Sequence, residues 1–351
     1  MTSRTPGPVG RVRSVIGGLG AVCLAAACST SAGSKEAGRH TAVNVRLAVA
    51  DPSGVSHLPV VLANRLGYFA DEGLDVNMVD FQAGSKVLTA LLAGDVDVAS
   101  GFYGDTIVMA AKGKFLRSFV TTINSPGLAL VVSPRTERRI NGVADLKGSV
   151  VGVSAPGSGT HIALNYLLHR EGLTSDDVAV AGIGLAGTAV AAMERGQVDA
   201  GVLLEPALSQ LAQRAGDLKI LVDTRLPATV KEVFGGHDFP AIGLFSRSNW
   251  LAGNPATAKR LAAALTRALT WAHSHSPAQI AAAMPLEFAG PDRNLYLTTI
   301  ASAAGTISVD GRMSVAGAEA VRRMLAVSMP DVAGAEIDLA ATFTNEFLKN
   351  P

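Results

Sequence analysis

The chain has 351 residues, with 30 Lys and Arg against 29 Asp and Glu, so its formal net charge is +1. That balance, without a long basic run, argues against a nucleic-acid binder, because neutralising phosphates takes clustered Lys and Arg. Mean hydropathy is +0.31, yet the sequence beyond residue 30 has no run of about 18 consecutive apolar residues that would span a bilayer. Ala, Val and Gly supply the apolar content, which suits a sizeable α/β core, and the length suggests about two domains.

The first 27 residues read as a secretory leader. Arg4, Arg11 and Arg13 precede an apolar stretch from Val15 to Ala27, and small residues lead up to Cys28. Ala25-Ala26-Ala27-Cys28 resembles a bacterial lipobox, with Leu24 one place before the usual aliphatic position, so Cys28 is the expected lipidation site. Residues 28–42 then read as a flexible tether. Removing the leader leaves 27 basic against 29 acidic residues, a formal charge of −2. Cys23 and Cys28 are the only cysteines, so disulfides, thiolate nucleophiles and Cys-based metal sites are excluded from the body beyond them.

The body contains an internal repeat. A β-like run, Val45 to Ala50, leads into Pro52-Ser53-Gly54-Val55-Ser56-His57 and a helical pattern; a second, Val150 to Ser154, leads into Pro156-Gly157-Ser158-Gly159-Thr160-His161 and another helix. Both loops read Pro-x-x-x-[Ser/Thr]-His, and each helix reaches Glu-Gly-Leu, where Gly suits a helix C-terminus. Strands follow at Val76 to Phe81 and Val178 to Gly182. Each repeat then closes a helix on Gly94 or Gly196 and enters a third strand through Val-Asp. Two β-α-β-α-β lobes are predicted, with largely parallel sheets covered by helices. Apolar segments at Gly127 to Ser133 and Ala241 to Phe245 are expected to carry the crossings. Lobe I is expected over 43–126 and 227–351, and lobe II over 127–226. Helices are predicted from Asn254-Pro255 onward, over Val315 to Val327 and over Leu339 to Leu348, packed against the first lobe.

Ligands of open α/β sheets bind beyond the carboxyl ends of the strands. The two loops lie there at helix N-termini, where free N–H groups and the positive dipole end favour an acceptor or anion. Candidate contacts are Ser53, Gly54, Ser56 and His57 in the first loop, and Ser154, Gly157, Ser158, Gly159 and Thr160 in the second. Ser56 and Thr160 are equally suited to helix capping, and both histidines to a structural role. Gly84-Ser85, Gly101, Phe102, Tyr103 and Thr188 are further candidates, with the two rings also suited to packing. Glu205 ends a strand before Pro206; facing a ligand, it would require an ammonium or amino donor and repel a simple anion.

Gly182-Ile183-Gly184-Leu185-Ala186-Gly187 matches the dinucleotide fingerprint. It lies mid-lobe, and lobe one has no counterpart at Phe81 to Lys86, so dinucleotide binding is the lesser reading. There is no Walker A sequence, Gly-x-Ser-x-Gly elbow or His-Glu-x-x-His, and nothing assembles a nucleophile, base and orienter. No catalytic residue, metal or cofactor is expected.

Leu58-Pro59 through Ala63, Gly67-Tyr68-Phe69, Glu72 to Val76, Phe81 and Ala90 to Asp97 resemble the first lobe of the taurine/nitrate/sulfonate-type solute-binding proteins. That group includes relatives that bind thiamine-precursor pyrimidines. Asp145-Leu146-Lys147-Gly148, Gly196 to Ala200 and Glu205-Pro206 resemble its second lobe. The resemblance, over about residues 43–250, implies an α/β periplasmic-binding-protein-like fold of type II, with two doubly wound lobes joined by a two-segment hinge. It implies a monomer on the outer face of the bacterial membrane that closes on a sulfonate-, taurine- or aminopyrimidine-like ligand and delivers it to an ABC permease. The loops at Ser53–His57, Gly84–Ser85, Gly101–Phe102 and Ser154–Thr160 would line its cleft. Alternatives are a tethered sensor, or an enzyme resembling the thiamine-pyrimidine synthase, which relies on a Cys-rich segment and a sacrificial His; the body has no Cys.

Overall fold

The computed structural model describes residues 42–81, 84–235, 238–290 and 292–349. The segments expected to be a leader (1–27) and a tether (28–42), with Cys28, lie outside the described residues as far as residue 41.

Among the described residues, ten strands form two sheets. They are β1 (Val43–Val49), β2 (Leu74–Asp80), β3 (Val98–Phe102), β4 (Leu116–Ile123), β5 (Ala129–Val132), β6 (Val150–Val153), β7 (Ala179–Gly182), β8 (Ala200–Leu203), β9 (Ile220–Asp223) and β10 (Ile242–Arg247). The first sheet runs β2-β1-β3-β10-β4, the second β7-β6-β8-β5-β9. The repeat seen in the sequence is therefore a repeat of topology, with β6, β7 and β8 in the places of β1, β2 and β3. Gly73 (φ 69°) and Gly172 (φ 74°), the equivalent glycines of the two Glu-Gly-Leu turns, both adopt the left-handed conformation that stops a helix.

Each sheet is mixed, with one antiparallel strand. β10 runs against β3 and β4, and β5 runs against β8 and β9. β5 and β8 are buried along their whole length, as expected of strands covered on both faces. The segments expected to be the crossings are largely these strands. The chain itself crosses at 124–128 and returns between β9 and β10. The two crossings are bonded together: Ser125 Oγ donates to the Thr224 carbonyl, Leu128 N donates to Thr224 Oγ1 at 3.0 Å, and Ala241 N donates to the Ile123 carbonyl at 2.9 Å.

The C-terminal region departs from expectation in two respects. The helix Pro255–Ser274 packs on the first half, along β4 and the helix Leu58–Arg65. The helix Val315–Ser328, however, packs mainly against Gly159–Arg170 of the second half, and Arg293–Ala303 touches Ala207–Ala215 there. The helix predicted over Leu339 to Leu348 is only a short 3-10 turn at Leu339–Ala341. Ser118 N donates to the Thr342 carbonyl at 2.9 Å and Thr344 N to the Ser118 carbonyl at 2.8 Å, so the segment runs beside β4. β4 is an edge strand whose open backbone groups offer that pairing, and they outcompete local helical bonds.

Gly243 in β10 lies in close contact with β4. A Cβ there would lie 2.6 Å from the Val120 carbonyl oxygen and 3.0 Å from Ser118 Oγ, neither able to retreat within the sheet. Gly243→Ala is expected to destabilise the protein by about 1–3 kcal/mol, an overpacking cost, measured as a shift in the urea unfolding midpoint.

Candidate functional site

A cleft of about 350 Å³ opens between the two halves, over the crossings and beyond the carboxyl ends of the strands. That volume lies within the range of small-molecule sites. Its first wall is the turn after β1, where Asp51 and Gly54 lead into the short 3-10 segment Val55–His57, with Phe102 at the end of β3. The opposite wall is the N-terminus of the helix Gly159–Arg170, together with Gly184–Ala186 and the residues after β8. Ser125 to Leu128 of the first crossing form the base.

Several predicted residues line this cleft: Gly54, Ser56, His57, Phe102, Ser154, Gly159, Thr160 and Glu205. His57 is buried, with Nδ1 2.9 Å from Ser100 Oγ, and burial lowers its pKa to about 4, so it is neutral at pH 7. Ser154, Ser158 and Thr160 form a triangle of hydroxyls, each pair 2.9 Å apart. Ser158 also accepts a bond from His161 N as the helix N-cap, which explains its position just behind the cleft wall.

The structure places the other candidates elsewhere. Ser53 is exposed and bonds Asp51 through its N–H and hydroxyl. Gly84 and Ser85 begin an exposed helical turn away from the cleft. Gly101 faces Phe245, whose ring would lie 3.2 Å from a Cβ. Tyr103 is fully buried, with its hydroxyl 2.6 Å from Thr342 Oγ1, so it packs against the C-terminal segment. Gly157 N donates to His161 Nδ1 at 2.8 Å, and Thr188 Oγ1 donates to the Leu185 carbonyl at 2.7 Å as a local cap.

Sequence reasoning missed Asp51, the crossing residues, Arg225, Ala303 and Met324. Asp-Pro directly after a strand and Ser-Pro-Gly after β4 were available turn signals. Nothing local marks Ala303 or Met324, which reach the cleft from the C-terminal helices Arg293–Ala303 and Val315–Ser328. The glycine fingerprint also has a packing account. Gly184 (φ 73°) lies so close to Thr188 that a Cβ would sit 2.3 Å from its hydroxyl oxygen, and β7, which precedes it, is an edge strand. Ala186 (φ 47°) is the one non-glycine residue with positive φ among the described residues; it too lines the cleft, where such strain is commonly concentrated.

Glu205 occupies the predicted wall, but its carboxylate is bound from within the protein. Oε1 accepts from Arg225 Nη1 at 2.7 Å and from Ser302 Oγ at 2.9 Å, and Oε2 accepts from Ser209 N at 3.2 Å. Its side chain is 2% exposed. Arg225 also grips Asp223 through Nη2 at 2.6 Å and Nε at 2.9 Å, and this pairing holds its pKa above the ordinary arginine value. Among the described residues, no group of three or more His, Cys, Asp or Glu is placed to hold a metal ion.

The two halves, the paired crossings and the cleft between them define a periplasmic-binding-protein fold. Residues 55–279 match the family described as NMT1/THI5 like, and the chain belongs to that family. A solved structure from Bordetella bronchiseptica RB50 is similar at a TM-score of 0.77 and 36% identity, covering 87% of this chain and 95% of that one. The alkanesulfonate-binding protein SsuA from Xanthomonas axonopodis pv. citri, bound to MOPS, is similar at a TM-score of 0.63 and 18% identity, over 86% of this chain and 98% of that one. A curated relative, the 4-amino-5-hydroxymethyl-2-methylpyrimidine phosphate synthase of Schizosaccharomyces pombe, is 28% identical over 149 residues. That alignment covers 42% of this chain and 41% of the relative's length.

Two tests follow from this geometry. Arg225→Met leaves Glu205 buried without its cation and is expected to cost about 3–5 kcal/mol; adding Glu205→Gln should restore much of the loss, read by urea unfolding. The second concerns buried His57 and half-buried Asp105, whose pH responses are opposite. His57, lowered from 6.5 to about 4, takes up its proton less readily folded than unfolded, so its contribution to stability rises with pH across that window. Burial raises Asp105 from 3.8 to about 7, so its contribution falls as pH rises through nearly the same window. Asp105→Asn should expose the histidine's trend, with stability increasing by about 2–3 kcal/mol between pH 4.5 and 6.5 in urea titrations.

Proposed function

We propose that the chain is an extracytoplasmic solute-binding protein. It captures one small polar ligand, sulfonate- or taurine-like or aminopyrimidine-like, between its lobes, 43–126 with 227–351 and 127–226. It works as a monomer, anchored through a lipid on Cys28, and delivers the ligand to an ABC importer. The observation that carries this reading is the cleft itself: a ligand-sized space at the strand ends, walled by both halves and floored by two bonded crossings. Ser56 lines one wall and Gly159 and Thr160 the other, which supports contact of both walls with one small molecule. Ligand contact with both walls would bias an open-to-closed equilibrium, which is the event a permease reads.

A second reading has a specific observation behind it, the similarity to a pyrimidine phosphate synthase. Against it stands the chain beyond Cys28, which has no cysteine, and His57, the histidine among the described lining residues of the cleft, which is buried and neutral at pH 7. Purified protein is expected to bind ligand at a 1:1 ratio in calorimetry and to release it unchanged by mass spectrometry. Turnover of the bound molecule would replace the transport reading with the enzymatic one. Phe102→Ala, which strips the ring from the cleft wall, should weaken binding roughly tenfold while leaving the ratio intact.

A further inference from the structure

We propose that Asp51 anchors the ligand through a charged or polarised N–H donor, and that the site selects amino-bearing ligands over simple anions. This rests on the solute-binding reading and narrows its ligand class. Asp51 follows β1 directly, at the carboxyl end of the strand, and lines the cleft. Its hydrogen bonds run through one oxygen: Oδ1 accepts from Ser53 N at 3.0 Å and from Ser53 Oγ at 2.6 Å. These bonds orient the carboxylate and leave Oδ2 for a ligand. Gly54 keeps that side open, since a Cβ there would stand 3.2 Å from Oδ2.

The charges around the cleft point the same way. Asp51, Glu205, Arg225 and His57 are the titratable residues among the described lining. Arg225 is bonded to two carboxylates, Glu205 and Asp223, and His57 is neutral. The guanidinium is therefore already compensated, and the charge left over in the cleft is the negative charge of Asp51. Among the described lining residues an entering nitrate or sulfonate meets no unpaired cation, and its charge is opposed by Asp51. A ligand with an ammonium, an amidine-like amino group or a protonated ring nitrogen meets an oriented carboxylate oxygen, the stronger charge-assisted class of hydrogen bond. The N-terminus of the helix Gly159–Arg170, on the opposite wall, complements such a ligand by facing its acceptor end.

The test is calorimetry on the purified chain with three probes: 4-amino-5-hydroxymethyl-2-methylpyrimidine, methanesulfonate and nitrate. Wild type is expected to bind the aminopyrimidine in preference to both anions. Asp51→Asn and Asp51→Ala should each weaken that binding by about ten- to a hundredfold. Asp51 is exposed, so thermal melting is expected to be unchanged in both variants. Equal affinity in wild type and both variants overturns the assignment, as does a wild-type preference for either anion; in both cases the solute-binding reading stands. Failure of every probe to bind overturns the solute-binding reading itself.

Discussion

The Arg225 guanidinium is the point at which three parts of the molecule meet. It lies just after β9, where the chain turns back toward the first half, and it grips Asp223 beside it and Glu205 after β8. Glu205 in turn accepts from Ser302 on the C-terminal helix Arg293–Ala303. A buried carboxylate is costly to hold unless it is paired and its lone pairs are used, and this one is paired and receives three hydrogen bonds. The second half, the return crossing and the C-terminal helices are thereby held in one arrangement beside the cleft. A second tie, Gln213 to Asp292 at 2.9 Å, joins the helix Ala207–Ala215 to the start of Arg293–Ala303 at the surface.

That node also sets the character of the cleft. Because Arg225 spends its donors on protein carboxylates, the site has backbone, hydroxyl groups and apolar surface to offer, plus one free carboxylate oxygen at Asp51. The fold is shared with proteins that bind sulfonates, as SsuA with its MOPS illustrates. Shared architecture places a site at the strand ends without dictating its charge.

Much of the architecture was legible because it is repeated. Two Pro-x-x-x-[Ser/Thr]-His loops, two Glu-Gly-Leu turns and two Gly-x-Val-Asp strand entries fall in the same order, and the sheets repeat β2-β1-β3 as β7-β6-β8. Turn chemistry and apolar runs are local properties, so they can be read locally. Loop residues at the ends of central strands were legible for the same reason: Gly54, Ser56, His57, Ser154, Gly159 and Thr160 all reach the cleft. Tyr103, equally attractive in sequence, turned into the core to meet Thr342, a partner 239 positions away.

The sequence by itself determined the α/β class, the two related halves and the strand-end loops, since helix stops, turns and hydrophobic periods are encoded within a few residues. Only the tertiary structure decided which polar groups remain available to a ligand. Glu205 is claimed by Arg225 and Ser302, the Leu339–Leu348 segment is drawn along the β4 edge, and Ala303 and Met324 arrive at the cleft from distant helices. Each outcome is a competition between partners far apart in the chain, decided by burial and by the need to satisfy every buried charge and backbone group. Such competitions leave no local pattern to read.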